Sequence, residues 1–200
     1  MPTGVPLRDV QEQLFEAAER ILLSAGPNGL TSRAVTEGAG VAKGVLHRHF
    51  ADFDGFLAEF TLDRIARLDR QANALCASAG TGTVTGNLAA ALTDIFGSVA
   101  LALMGLVMSR DELRTRLRAA GAGRVPVAVQ ATAMIGAYLR AERDLGRVAA
   151  GADVDAIAPT LIGTGHLLFA GRDGAGPAAA EVRRAVTTVM ASARPGGSAE

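Results

Sequence analysis

The sequence has little of what would mark a secreted or membrane-spanning chain. It carries one cysteine, Cys76, in 200 residues. One thiol cannot close an internal disulfide or build a thiolate metal site alone, so a reducing cytoplasmic setting and no bound metal are the expectation. No run reaches the roughly 18 apolar residues of a membrane span. The longest candidate, Val99 to Met108, has about half that length, and the first six residues lack the charged-then-apolar pattern of a signal peptide. No membrane association is expected. An excess of one charge sign is also missing: 20 basic and 20 acidic residues give a formal net charge of zero. Any case for nucleic acid must therefore rest on where charge is placed. No nucleophile elbow, no Gly-x-x-x-x-Gly-Lys phosphate loop and no His-Glu-x-x-His pair occurs. The glycine-rich segments follow no strand, which excludes a dinucleotide site. Neither an enzyme nor a cofactor is expected.

What is present is helical. The composition is 49% hydrophobic and 20% charged, in the globular range. Period-two alternation is absent, and alanine, leucine and arginine dominate. The pattern predicts an all-α fold of about nine helices, near 7–24, 32–38, 42–49, 53–77, 85–104, 106–120, 125–149, 153–171 and 178–193. In the first, Val10, Leu14, Ala17, Ala18, Ile21 and Leu22 form one apolar face. Gly26-Pro27-Asn28-Gly29 then stops it. Thr31 or Ser32 is placed to cap the second helix and Asp153 the eighth. The breaks fall at Gly121-Ala122-Gly123, at Gly151 and at residues 171–177, and the tail 194–200 is expected to fray.

The segment from Leu30 to Phe50 carries the chemistry. Two short helices flank Ala39-Gly40-Val41, and Gly40 can take the left-handed backbone conformation that a tight turn between crossed helices needs. Ala34, Val35 and Ala39 face inward on one helix; Val41, Leu46 and Phe50 do so around the other. Lys43, Gly44, Val45, His47 and His49 are left on the outer side. Lys and His can reach phosphates or base edges in a major groove, and Val45 can touch a thymine methyl. Thr31, Ser32 and Arg33 sit at a helix start, where free N–H groups favour a phosphate. Residues 31–50 hold three basic residues (Arg33, Lys43, Arg48) and one acid (Glu37), a local net of +2 before the histidines are counted. His47 and His49 lie two apart and do not share a helix face, which argues against a metal pair.

Gly29-Leu30-Thr31, Ala39-Gly40-Val41 and Gly44-Val45-Leu46-His47-Arg48-His49-Phe50, in that order, resemble the TetR family of transcriptional regulators over about residues 8–60. The resemblance implies an N-terminal three-helix DNA-binding domain with a helix-turn-helix (1–52) and a C-terminal helical bundle for ligand binding and dimerisation (53–200). It implies that Thr31, Ser32, Arg33, Lys43, Gly44, Val45, His47 and His49 contact double-stranded DNA. Three positions depart from the family pattern. His47 replaces a tyrosine that contacts phosphate, and its charge can make binding pH-sensitive. Phe53 replaces a lysine that meets the backbone, which lowers the expected salt dependence. Ala42 replaces a serine N-cap, at a cost of about 1 kcal/mol to that helix.

The C-terminal half carries no diagnostic motif. Its large side chains Phe96, Met104, Met108, Met134, Tyr138 and Phe169 are the candidates to line a cavity between helices, with core packing as the alternative. An apolar lining would suit a lipophilic effector. His166 reads as a core or interface histidine and Cys76 as a bystander. Residues 110–118 read as a solvated helix face. The small and apolar faces of 153–171 and 178–193 are suited to pairing with their own copies, as the resemblance also implies for a homodimer. On that reading the chain is a repressor released from a palindromic operator by a small molecule, with the fourth helix as the lever. A helical protein-interaction module that binds no DNA is the alternative.

Overall fold

The computed structural model describes residues 7–97, 99–122, 126–170 and 176–193. Every regular element among them is helical: α1 (Leu7–Gly29), α2 (Ser32–Gly38), α3 (Gly44–His49), α4 (Phe53–Ala77), α5 (Val84–Phe96), α6 (Ala100–Ser109), α7 (Asp111–Ala119), α8 (Pro126–Asp144), α9 (Val154–Ala170) and α10 (Ala179–Val189), closed by a 3-10 turn at Met190–Ala193. No single helix among the described residues is long and apolar enough to cross a membrane. The chain forms two compact units, residues 1–64 with 102–126 and residues 65–101 with 127–200.

In the first unit, α1 buries Leu14, Ala17, Ala18 and Leu22 as its spacing predicts, while Val10 and Ile21 are half-buried. Its regular geometry stops at Gly26 (φ 67°, ψ −175°), a backbone state open to glycine, and one further turn follows. Thr31, not Ser32, caps α2: its hydroxyl accepts from the Ala34 N–H at 3.1 Å. The end of α2 is a Schellman turn, in which the Gly40 N–H reaches Glu37 O and the Val41 N–H reaches Thr36 O. Gly40 has φ 68° there, the left-handed conformation expected of it.

Beneath these helices lies an aromatic cluster. Phe15 lies 5.7–6.1 Å from Phe50, Phe56 and Phe60 between ring centroids, Phe56 lies 5.0 Å from Phe50 and 6.3 Å from Phe60, and Phe53 stacks on Phe56 at 5.7 Å. Such pairs add about 0.5–1.5 kcal/mol each beyond their burial. Arg64 lies against the cluster, 3% exposed, with its guanidinium carbon 5.0 Å from the Phe60 ring centre. It pairs with Glu19 at 2.6 Å and with Asp63, which supplies the counter-charge a buried guanidinium requires. The head of α4 is fixed in the same way. Asp52 accepts from the Gly55 N–H at 2.8 Å and takes both arms of Arg116 at 2.9 and 2.8 Å. Arg110 pairs with Asp54 at 2.9 Å and lies over Phe53. These contacts explain why residues 53–64 and 102–126 pack with the N-terminal helices. They also show that the arginines of 110–118 are not simply a solvated row.

In the second unit, α5 packs against α9 and α10. Leu88, Leu92, Ile95 and Phe96 of α5 are buried, as are Leu161, Val182 and Val186 opposite. Gly165 permits a close approach: a methyl group there would stand 2.4 Å from the Phe96 ring. Asp153 caps α9 as expected, accepting from the Ala156 N–H at 3.0 Å. A polar network ties the 78–83 turn to α8. The buried Glu142 accepts the Tyr138 hydroxyl at 2.5 Å and the Gly80 N–H at 3.3 Å, and faces Arg147 at 3.4 Å. Burial, reinforced by that carboxylate, pushes the Tyr138 phenol well above its ordinary range.

Several helix boundaries differ from expectation. The predicted helix 85–104 breaks at Gly97, whose N–H closes on Thr93 O at 2.7 Å. No break occurs at Gly105, which continues α6, and the next interruption is the extended Arg110 (φ −131°, ψ 109°). Residues 84–119 therefore hold three helices instead of two, making ten among the described residues. Helix α8 ends at Asp144, ahead of the predicted 149. The predicted tail 194–200 and most of the 171–177 break lie outside the described residues.

Candidate nucleic-acid interface and ligand cavity

The short helix α3 is held by one side. Leu46 is fully buried and Phe50 nearly so. At 100° per residue they set its inward direction, and Arg48 stands about 180° away. Lys43, Gly44, His47 and Arg48 are exposed, while Val45 and His49 are half-buried on the flanks. The set expected from the sequence is thus brought onto one short element, with Arg48 added at its outermost point. Arg48 is not among the expected contact residues; burial of Leu46 and Phe50 identifies its direction. Neither Lys43 nor Arg48 has a hydrogen-bond or ion-pair partner among the described residues. No side-chain acceptor caps α3, whose N-cap is Lys43 in helical conformation, so the helix starts at Gly44, later than the predicted residue 42. This agrees with Ala42 being unable to accept.

At the start of α2, Thr31 and Arg33 are exposed and Ser32 is half-buried. Thr31 spends its acceptor on the helix cap, which leaves its O–H free to donate. Arg33 is not free. It pairs with Glu37 at 2.7 Å, both side chains well exposed, so the net +2 of residues 31–50 resides in Lys43 and Arg48. Exposed pairs of this spacing contribute only a few tenths of a kcal/mol, and a phosphate can compete for Arg33. Among the described residues no three His, Cys, Asp or Glu side chains gather to hold a metal ion.

A half-open cavity of about 280 Å³ lies within the second unit. Gln71, Leu75 and Ser78, at and just past the C-terminal end of α4, Asn87, Asp94 and Ile95 of α5, and Met134 of α8 are among its walls. Of the six large side chains singled out in the sequence, Met134 lines it. Tyr138 is buried behind the wall, where its hydroxyl accepts from Asn87 Nδ2 at 2.9 Å. Phe96 and Phe169 pack on each other at 5.8 Å, with His166 edge-on to Phe96 at 6.5 Å. Met104 and Met108 belong to the first unit, and Met108 is 60% exposed. The other five do not line this cavity. Helical spacing shows which face of a helix is buried, but not which helices meet. Cys76 is a half-buried free thiol.

Residues 14–67 match the family model of the bacterial regulatory proteins, tetR family. Over these residues the chain is similar to the TetR family. The match covers the helix pair, the aromatic cluster and the start of α4. Family regulators are ligand-responsive DNA-binding proteins. The fold of the whole chain agrees. A TetR-family regulator from Mesorhizobium loti superposes with a TM-score of 0.66 at 15% identity, over 94% of this chain and 96% of that one. Reduced NemR from E. coli gives 0.68 at 16%, over 94% and 99%. FadR from Bacillus subtilis, in complex with stearoyl-CoA, gives 0.68 at 15%, over 90% and 97%. At these identities the likeness speaks for the fold alone. No protein with a curated description matches the sequence.

Proposed function

We propose that this chain is a TetR-family regulator: a homodimeric, cytoplasmic repressor, released from a palindromic operator when a small molecule binds its C-terminal part. It performs no catalysis. In functional terms residues 1–52 bind DNA and residues 53–200 bind the effector and the second copy. The observation that carries the reading is the outer side of α3. Two cations without partners among the described residues, Lys43 and Arg48, and a histidine stand around Gly44 on a helix anchored by Leu46 and Phe50. Such a helix enters a major groove, with Gly44 allowing close approach. Thr31, Ser32 and Arg33 take a flanking phosphate.

Dimerisation is supported by α9, which exposes Ala156, Pro159, Thr160, Gly163 and Leu167 along one face, Leu167 at 78%. A contiguous small and apolar face is suited to a two-fold partner, and a two-fold dimer reads a palindrome. The cavity beside Met134 is the place for the effector. FadR is in complex with stearoyl-CoA and a regulator from Saccharomonospora viridis with choline, which supports a small-molecule effector here. An effector acts by shifting the population of dimers away from the spacing that fits the operator.

The test is selection of bound fragments from random duplex DNA by the purified protein at two salt concentrations. Recovery of a palindrome occupied by one dimer, with steep salt dependence, is the expected result. No enrichment at low salt contradicts the reading and favours a protein partner for the helix pair.

A further inference from the structure

Asp94 is out of place as a structural residue. It lies in the last turn of α5, where the helix dipole is negative and an acid is disfavoured, and no basic residue shares that turn. Its carboxylate has no hydrogen bond or ion pair among the described residues. Among the described residues it is the one charged side chain on the wall of the α4–α5–α8 cavity. The rest of that wall offers acceptors over an apolar floor. Both amide hydrogens of Asn87 are committed, to Thr81 O at 3.0 Å and to the Tyr138 hydroxyl at 2.9 Å. The Tyr138 hydroxyl is itself fixed as a donor to Glu142, so Asn87 retains only its carbonyl oxygen for a further partner. Gln71 is exposed and unpartnered, and Leu75, Ile95 and Met134 supply the floor. On its other side Asp94 borders a second cavity, where Arg183 stands on the wall without reaching ion-pair distance. A cation is therefore favoured on the Met134 side and disfavoured on the Arg183 side.

We propose that the α4–α5–α8 cavity takes a small organic amine in its protonated form. The ammonium pairs with Asp94 and donates to Gln71, and the apolar body lies on Leu75, Ile95 and Met134. This rests on the reading of the second unit as the effector-binding part, and it adds a positive charge to the lipophilic effector expected from the sequence. A cavity of about 280 Å³ limits the ligand to the lower end of small-molecule size. The bound ammonium relieves the unfavourable position of Asp94 at the helix end.

Calorimetric titration of the full-length protein with phenethylamine, phenethyl alcohol and hydrocinnamate tests this, because the three share a shape and differ in charge. The amine is expected to bind roughly tenfold tighter than the alcohol, and hydrocinnamate more weakly than both. Asp94→Asn should reduce the amine to the affinity of the alcohol, while Asp94→Glu should retain most of the preference. Circular dichroism verifies that both variants fold, as expected for an exposed position. Equal affinity for amine and alcohol, tighter binding of hydrocinnamate, no amine binding, or an amine preference that survives Asp94→Asn overturns the proposal. Operator binding is measured in parallel. Amine binding that leaves operator affinity unchanged sinks the release mechanism and leaves the assignment of the cavity standing.

Discussion

The first unit gathers five of the seven phenylalanines of the chain into a single cluster and locks its helices with arginine–carboxylate pairs. The second unit has Phe96, Phe169 and the sole tyrosine, and it is packed mostly with alanine, leucine, isoleucine and valine. Its largest polar feature is a network behind a half-open cavity. The contrast fits the two tasks proposed for them. A DNA-binding head must hold α3 at a fixed angle, and aromatic contacts with paired charges specify one geometry. An effector-binding bundle must leave space between helices, and small side chains do so.

The largest effect should come from opening the aromatic cluster. Phe56→Ala removes a fully buried ring that contacts Phe15, Phe50, Phe53 and Phe60. A loss of about 3–5 kcal/mol is expected in denaturant unfolding. A loss below about 1 kcal/mol would mean that the head is no more sharply packed than the bundle. Gly165→Ala probes the tightest spot of the second unit, where the new methyl meets the Phe96 ring. A cost of about 1–3 kcal/mol is expected from overpacking. If the variant is as stable as the parent, the bundle adapts more freely than its Phe96 packing implies.

Tyr138 gives a spectroscopic reading of the same unit, since no other tyrosine and no tryptophan contributes absorbance. Burial and Glu142 hold its phenol protonated. Tyrosinate absorbance should therefore stay absent through the ordinary titration near pH 10 and appear only with unfolding. A normal titration in the folded protein would show that the Tyr138–Glu142–Asn87 network is open. The smallest effect concerns the head. The Gly55 N–H and then Arg116 hold the Asp52 carboxyl below the usual carboxylate range. Its contribution is present above the unfolded value of about 3.9 and is lost as pH falls through the lowered folded value. The stability gap between parent and Asp52→Asn should be present at neutral pH and shrink below about pH 4; a gap that widens in acid would reverse the assignment.

The two units also differ in how far the sequence revealed them. The head was legible because its signals are local. Gly40 marks the turn, Thr31 the cap, and the spacing of Leu46 and Phe50 the buried side of α3. Arg33–Glu37 pairing required coordinates, because it depends on side-chain direction, whereas the outward place of Arg48 follows from the spacing of Leu46 and Phe50. The cavity was not legible. Met134 and the unnoticed Asp94 meet there only because α4, α5 and α8 come together, and no periodicity within one helix records its neighbours. Met108 had the same sequence character as Met134 and is exposed. The pair of Tyr138 and Glu142 did leave a trace, an i, i+4 spacing on α8, but an acid at that spacing is usually a surface residue.

The central claim is that α3 is a DNA-reading helix. The most direct measurement is the salt dependence of binding to the selected duplex for the parent, Lys43→Ala and Arg48→Ala. Each substitution should weaken binding and flatten the slope of log affinity against log salt by about 0.9, the signature of one lost phosphate contact. Parent-like affinity and slope in both variants would show that the outer side of α3 does not meet DNA, and would contradict the account.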